Sequence, residues 1–136
     1  RKPLVIHTRD AADDTLRIMR EEQAGETGGV MHCFTESLEV AEAAIEQGFY
    51  ISFSGIVTFK NAKVLREVAA AIPLERMLIE TDSPYLAPVP HRGQTNQPGY
   101  VKHVAEEIAR VRGITTEAVG EITTQNFFRL FASARH

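Results

Sequence analysis

The sequence predicts an α/β domain built on a parallel sheet, and three observations carry that reading. Four short apolar runs, Leu4–His7, Val30–Phe34, Phe49–Phe53 and Met77–Glu80, have the length and residue types of buried strands. Segments with helical spacing alternate with them, the rhythm of parallel strands joined by crossover helices. The length of 136 residues suits one domain, residues 1–136, with its own core. It is also about half of the roughly 250 residues of a complete (β/α)8 barrel. A small open sheet and half of a barrel both remain compatible with this periodicity.

The elements follow in order. Pro3 and the polar Thr8-Arg9-Asp10 bound the first strand. Asp10 is placed to cap a helix from about Ala11 to Glu22, with Leu16 and Met19 on its apolar face. Gly28-Gly29 breaks the chain before the second strand. A second helix is expected from about Ser37 to Gln47, with Val40, Ala44 and Ile45 inward and Gly48 as its stop. Phe49–Phe53 is rich in aromatic and β-branched residues, and Ser54-Gly55 turns the chain. A third helix runs from about Ala62 to Ala71 and ends at Pro73, before the fourth strand. Residues 83–97 contain Pro84, Pro88, Pro90 and Gly93, which forbid a regular helix. An irregular stretch this long in a compact domain is usually functional or disordered. Asn96-Gln97-Pro98 starts a helix from about Gly99 to Arg112. The last helix, from Thr116 to about Phe131, presents Val119, Ile122, Phe127, Leu130 and Phe131 as its apolar face.

Composition narrows the setting. A formal charge of −3 gives no broad attraction to nucleic acid, so such a substrate would need a local cluster or metal ions. Cys33 is the only cysteine, which rules out an internal disulfide and points to a reducing compartment. No apolar run approaches the roughly 20 residues that cross a bilayer. The expectation is a soluble cytoplasmic protein without a membrane partner. Arg1-Lys2-Pro3 leads at once into Leu4-Val5-Ile6, with no initiator Met and no leader, as the start of a fragment would.

Three of the four strands end in metal-capable side chains: His7, His32, and Glu80 with Asp82. In parallel α/β architectures the C-terminal strand ends form the active-site face, so these groups are expected to converge. Glu80 and Asp82 are two apart, which puts both carboxylates on one side of an extended chain, and His7 and Arg9 share that relation. Imidazole with carboxylate suits zinc, manganese or magnesium. Each residue also has an ordinary reading. A lone strand-end histidine is commonly a hydrogen-bonded group, His32 and Cys33 make a plausible core pair, and Asp82 could cap the turn Thr81-Asp82-Ser83-Pro84. Cys33 reads as a small buried hydrophobe, His103 as a surface residue beside Glu106 and Glu107, and the terminal His136 carries no reading.

The segments Ile6-His7-Thr8-Arg9-Asp10, Met31-His32-Cys33-Phe34 and Ile79-Glu80-Thr81-Asp82-Ser83-Pro84-Tyr85-Leu86-Ala87-Pro88 resemble signature motifs of the TatD family of deoxyribonucleases. Gly48 to Gly55, Arg92-Gly93 and Asn96-Gln97-Pro98 fit the same pattern in the same order. The resemblance covers essentially the whole chain and is strongest to the YcfH-like bacterial branch. It implies a TIM-type (β/α)8 barrel of the metal-dependent hydrolase superfamily, of which this chain would be the C-terminal half, strands 5–8. It further implies His7, His32 and Asp82 as metal ligands, Asp82 and Glu80 as catalytic groups, and phosphodiester hydrolysis in DNA with 3′–5′ exonuclease action. The cofactors would be divalent ions, Mg²⁺ first and Mn²⁺ or Zn²⁺ next, two per complete site. Arg9 and Arg92 are candidates for phosphate contacts, since guanidinium pairs bidentately with phosphate oxygens, and His91 beside Arg92 is a third substrate-binding candidate.

The family's His-x-His pair of the first strand and its bridging Glu of the fourth have no counterpart in these residues. The resemblance therefore implies half a metal cage. An open half-barrel would expose strand edges at Leu4–His7 and Met77–Glu80, so self-association or pairing with a missing N-terminal half is expected. A catalytically silent half-barrel and a hydrolase of another ester or nucleotide are the competing functional readings.

Overall fold

In the computed structural model, which describes residues 2–134, the four apolar runs pair as one parallel sheet in the order β1-β2-β3-β4. The strands are β1 (Leu4–Ile6), β2 (Gly29–Met31), β3 (Phe49–Phe53) and β4 (Met77–Ile79). Between and after them lie α1 (Ala12–Glu21), α2 (Leu38–Glu46), α3 (Lys63–Ala71), α4 (Val101–Arg112) and α5 (Thr116–Leu130). The α/β class and the parallel pairing are as the alternation required. His136 lies outside the described residues.

Three strands are shorter than the apolar runs suggest, because the backbone turns away early. Cys33 has φ 48° and Asp82 has φ 58°, left-handed values that end extended structure. Ladder-type bonds nevertheless continue one to three residues past the strands. His32 N–H donates to Ile6 O at 2.8 Å, Phe34 N–H to Ser52 O at 2.9 Å and Glu80 N–H to Phe53 O at 2.9 Å. At the other end of β2, a Cβ on Gly29 would lie 2.2 Å from Leu4 O, so only glycine lets β1 close on it.

One face of the sheet is covered by helices. Met31, Phe49, Ile51, Phe53 and Met77 are buried there against Leu16 and Met19 of α1, Ala41 and Ala44 of α2, Leu65 and Val68 of α3, and Val104 and Ile108 of α4. Each large side chain so buried contributes roughly 1.5–3 kcal/mol. The opposite face holds a smaller group, Val30, Tyr50 and Leu78, approached by Leu130 and Phe131. A groove of about 670 Å³ runs along β4 between this face and α5, lined by Glu80, Leu78, Phe127, Phe128 and Phe131 among others.

Several local expectations are corrected. Asp10 does not cap α1: it is exposed at φ 54°, and Ala11 occupies the cap position without a side-chain bond. In α2, Ala41 joins Ala44 as the fully buried pair, while Val40 and Ile45, expected inward, pack partly buried against the same core. In α5 the inward face is Val119, Thr123 and Asn126, while Phe127 stays exposed beside the groove. Asn126 accounts for that rotation, since its Nδ2 donates to Leu74 O at 2.8 Å and to Met77 O at 2.9 Å and so locks α5 to the start of β4. Among the described residues no helix is long and apolar enough to cross a membrane.

Candidate metal centre

Side chains alternate between the faces of a strand, so the face that carries Val5, Val30, Tyr50 and Leu78 also carries His7, His32, Ser52 and Glu80. The register aligns them, with Val5 opposite Val30, Val30 opposite Tyr50, and Ser52 opposite Leu78. The last polar positions of four adjacent strands are thus delivered to one end of the sheet, on the face not filled by helices.

Three of these groups, with Asp82, form a tight cluster. His32 Nδ1 lies 2.9 Å from Glu80 Oε2, and His32 Nε2 lies 3.3 Å from Asp82 Oδ1. One ligand atom from each of His32, Glu80 and Asp82 falls within 4.8 Å of the others. Ser52 Oγ donates to Glu80 Oε2. Glu80 Oε1 is buried and, among the described residues, has no hydrogen-bond partner. Burial pushes the Glu80 carboxyl above its ordinary range, against the opposing pull of the Ser52 bond and the His32 ring, and the nearby Asp82 charge raises it further. Asp82 is fixed at the head of a turn in which Tyr85 N–H donates to its carbonyl at 3.0 Å. Thr81 Oγ1 accepts from Ser83 N–H at 3.3 Å, and the buried Asn96 clasps the turn by donating to Thr81 O at 2.7 Å and Tyr85 O at 2.8 Å.

These residues fit a divalent cation. With an N–H at Nδ1, the His32 ring would donate to Glu80 Oε2. Nε2 would then turn a lone pair toward the Asp82 oxygen 3.3 Å away, an arrangement that a cation between them would make favourable. The buried Glu80 Oε1 is a further donor atom without a partner. The Nδ1–carboxylate bond is the arrangement that fixes a metal-ligating histidine in one orientation.

The other expected residues are arranged differently. His7 is exposed, with its ring 6.1 Å from that of His32, so it stands beside the cluster rather than in it. Arg9 is exposed beyond β1. Arg92 lies over the Phe59 ring at 3.8 Å, and His91 stacks on Tyr100 at 3.9 Å. Among the described residues none of these three pairs with the cluster. His103, expected at the surface, is half-buried against His91 at 5.0 Å, with its Nε2 enclosed and unpartnered. Cys33 is buried as expected, and burial, then the charges of Glu80 and Asp82, push its thiol up while a contact to Ser54 pulls the other way. Ser52 was not singled out from sequence. The signal for it was period two from Tyr50, one strand over from His32.

Comparison with known proteins bears directly on this arrangement. The family described as TatD related DNase matches residues 1–132. The chain is 58% identical over 130 residues to an uncharacterized metal-dependent hydrolase, YcfH, of Escherichia coli K12, covering 96% of this chain and 49% of that protein. It is 54% identical over 129 residues to the metal-dependent hydrolase YabD of Bacillus subtilis 168, covering 95% and 51%. The crystal structure of YjjV, a TatD homologue from Escherichia coli K12, superposes with a TM-score of 0.86 at 28% identity, covering 94% of this chain and 49% of that one. The chain spans about half the length of the curated relatives it matches.

Proposed function

The chain belongs to the TatD related DNase family, and from that membership we propose that the protein bearing it is a metal-dependent hydrolase of phosphodiester bonds in DNA, acting as a 3′–5′ exonuclease. The observation that carries this reading is the convergence of His32, Glu80 and Asp82, with a buried carboxylate oxygen left without a partner. His32 Nε2, Asp82 and Glu80 Oε1 would hold a divalent ion, Mg²⁺ by preference, with Mn²⁺ or Zn²⁺ as substitutes, and the nearby His7 would join them in the complete two-ion site. A bound divalent ion supplies charge against the phosphoryl oxygens and acidifies water. Glu80 Oε2 keeps the His32 ring in place, and Ser52 in turn fixes Glu80. Asp82 is held by the Asn96-clasped turn where it can orient water and accept a proton. Arg9, His91 and Arg92 are left as contacts for the more distant phosphates.

The four strands are read as strands 5–8 of a (β/α)8 barrel. Among the described residues both outer strands, β1 and β4, have an unpaired edge, Val5 is 62% exposed, and the groove along β4 is apolar-walled. Four further strands, from the rest of a longer polypeptide or from a second copy, would cover these surfaces. A single buried thiol supports a reducing, cytoplasmic setting.

The test is Mg²⁺- or Mn²⁺-dependent release of nucleotides from 3′-ended DNA. His32→Ala should abolish it, while release that survives His32→Ala would reject the site. Parallel assays on RNA and on small phosphate and carboxylate esters separate DNA from other substrates. A stable, compact monomer in sedimentation at micromolar concentration would count against the barrel-completing association.

A further inference from the structure

One short turn after β3, Gly55–Thr58, stands next to all three arms of the cluster. It starts from Ser54, two residues after the Ser52 whose hydroxyl holds Glu80. Ser54 is fully buried, accepts from Ile56 N–H at 3.4 Å and lies 3.5 Å from the Sγ of Cys33, the neighbour of His32. The other side of the turn meets the loop that follows Asp82. Thr58 Oγ1 accepts from Val89 N–H at 2.9 Å and donates to Gly55 O at 2.7 Å. Gly55 packs so closely under the same loop that a Cβ there would lie 2.3 Å from Leu86 O.

A single side chain fastens this turn from the helical layer. Arg66 of α3 sends Nη1 to Val57 O at 3.2 Å and to Phe59 O, and Nη2 to Lys60 O at 3.3 Å. Its Nε faces Glu107 Oε1 of α4 at 4.0 Å, and only 19% of the side chain is exposed. The helix does not need these bonds, since Arg66 N–H already donates to Ala62 O at 3.1 Å. A cation near the start of a helix also opposes the helix dipole. The turn, not α3, accounts for an arginine here. Lysine carries a point charge on one nitrogen and cannot reproduce the planar fork that spans these carbonyls.

We propose that Arg66 and Thr58 are positioning residues for the cation site, a role that rests on the metal-dependent reading above. Arg66 fixes the turn after β3, and Thr58 passes that fixation to the loop that begins at Asp82. Every contact in the relay is made within this chain, so it does not depend on what covers the open face of the sheet. The relay acts through geometry. A site of this kind tolerates a displacement of about 0.5 Å, and an Asp82 carboxylate moved further keeps its charge but loses its alignment with His32 Nε2, 3.3 Å away.

The full chain is titrated with Mn²⁺, counting free ion by electron paramagnetic resonance, and amide exchange is followed separately in EDTA. Thr58→Val and Arg66→Lys should each weaken Mn²⁺ binding about 2- to 12-fold, the scale of one hydrogen bond lost, and Thr58→Ser should restore it. Because the two residues act in series, the double variant should bind no more weakly than the weaker single one. In EDTA the Val89 and Tyr85 amides, bonded to Thr58 Oγ1 and Asp82 O, should exchange faster in both variants while those of β3 keep their rates. Additive losses, an unchanged affinity, or faster exchange spread evenly over the sheet would overturn the proposal, the last marking a purely structural role. Thr58→Val decides the matter alone if Arg66→Lys folds poorly. Mn²⁺ uptake that is lost in His32→Ala but indifferent to Thr58 and Arg66 keeps the metal reading and rejects the relay, whereas no His32-dependent uptake rejects both.

Discussion

Replacing Glu80 by glutamine separates the cost of that side chain to the fold from its use in the site. The carboxylate is largely buried, one oxygen has no partner, and burial raises its pKa above the ordinary range. Folded Glu80 therefore holds its proton at pH values where the unfolded chain has lost it. Across the window from the ordinary carboxylate range up to the raised value, stability falls as pH rises, and it stays lower at neutral pH. Glutamine has nearly the same shape and no charge, so in EDTA at pH 7 Glu80→Gln should raise the urea midpoint and flatten the fall of stability with pH. Below the ordinary carboxylate range the difference should vanish.

A divalent ion reverses the order. At 100 times its dissociation constant, a ligand specific to the native state adds about 2.7 kcal/mol. For 136 residues, with roughly 2.1 cal/mol/K of unfolding entropy each, this corresponds to about 9 °C in Tm. The parent chain should gain that shift with Mn²⁺ or Mg²⁺, and Glu80→Gln little of it. Differential scanning calorimetry with and without the ion reads both effects. A variant less stable than the parent in EDTA, or one stabilised equally by the ion, would refute the assignment of Glu80 as a destabilising carboxylate kept for metal.

Three other perturbations test the supports of the site. Arg112 fans over the end of α3, with Nη1 donating to Ala70 O at 2.6 Å and Ile72 O at 2.8 Å and lying near Ala69 O; Arg112→Met should lower stability by about 2–3 kcal/mol in urea titration, the scale of charge-assisted bonds lost at a helix end. A Cβ on Gly55 would sit 2.3 Å from Leu86 O, so Gly55→Ala should cost about 1–3 kcal/mol or more and weaken metal binding by displacing the loop that follows Asp82, as read by a metal titration alongside the urea curve. Cys33, buried and with its thiol pushed up, should react with iodoacetamide about tenfold or more slowly in the native chain than in urea, as followed by mass spectrometry at pH 8; equal rates would contradict its burial.

Legibility from sequence followed how local the determining physics was. β3 matches its expected span residue for residue, because Gly48 at φ 85° and the Ser54-Gly55 turn bracket a run of five strand-formers. The other three strands stop early at backbone turns, two of them at left-handed residues that are not glycine, Cys33 and Asp82, and residue type alone gives no warning of them. His32, Glu80 and Asp82 were readable because each sits at or just past a strand end. The fate of Arg92 and His91 was not readable, because their ring partners, Phe59 and Tyr100, come from other parts of the chain. His103 was misjudged for the same reason: its helix position looks exposed until His91 folds over it.

The site and the smaller core are written in a single alternation. Along β2, β3 and β4 the face away from the helices reads Val30 then His32, Tyr50 then Ser52, Leu78 then Glu80, apolar first and polar two residues later. A one-residue slip of any strand would send its polar group into the helix-covered core and its apolar partner residues out of it. Register is thus enforced by the cost of burying Glu80 or His32 among Phe49, Ile51 and Phe53, far more than by any contact inside the cluster. This explains how a strained and partly unsatisfied cluster can persist: the packing on the other face of the same strands holds it in place, and the carboxylate is left free to answer to a cation.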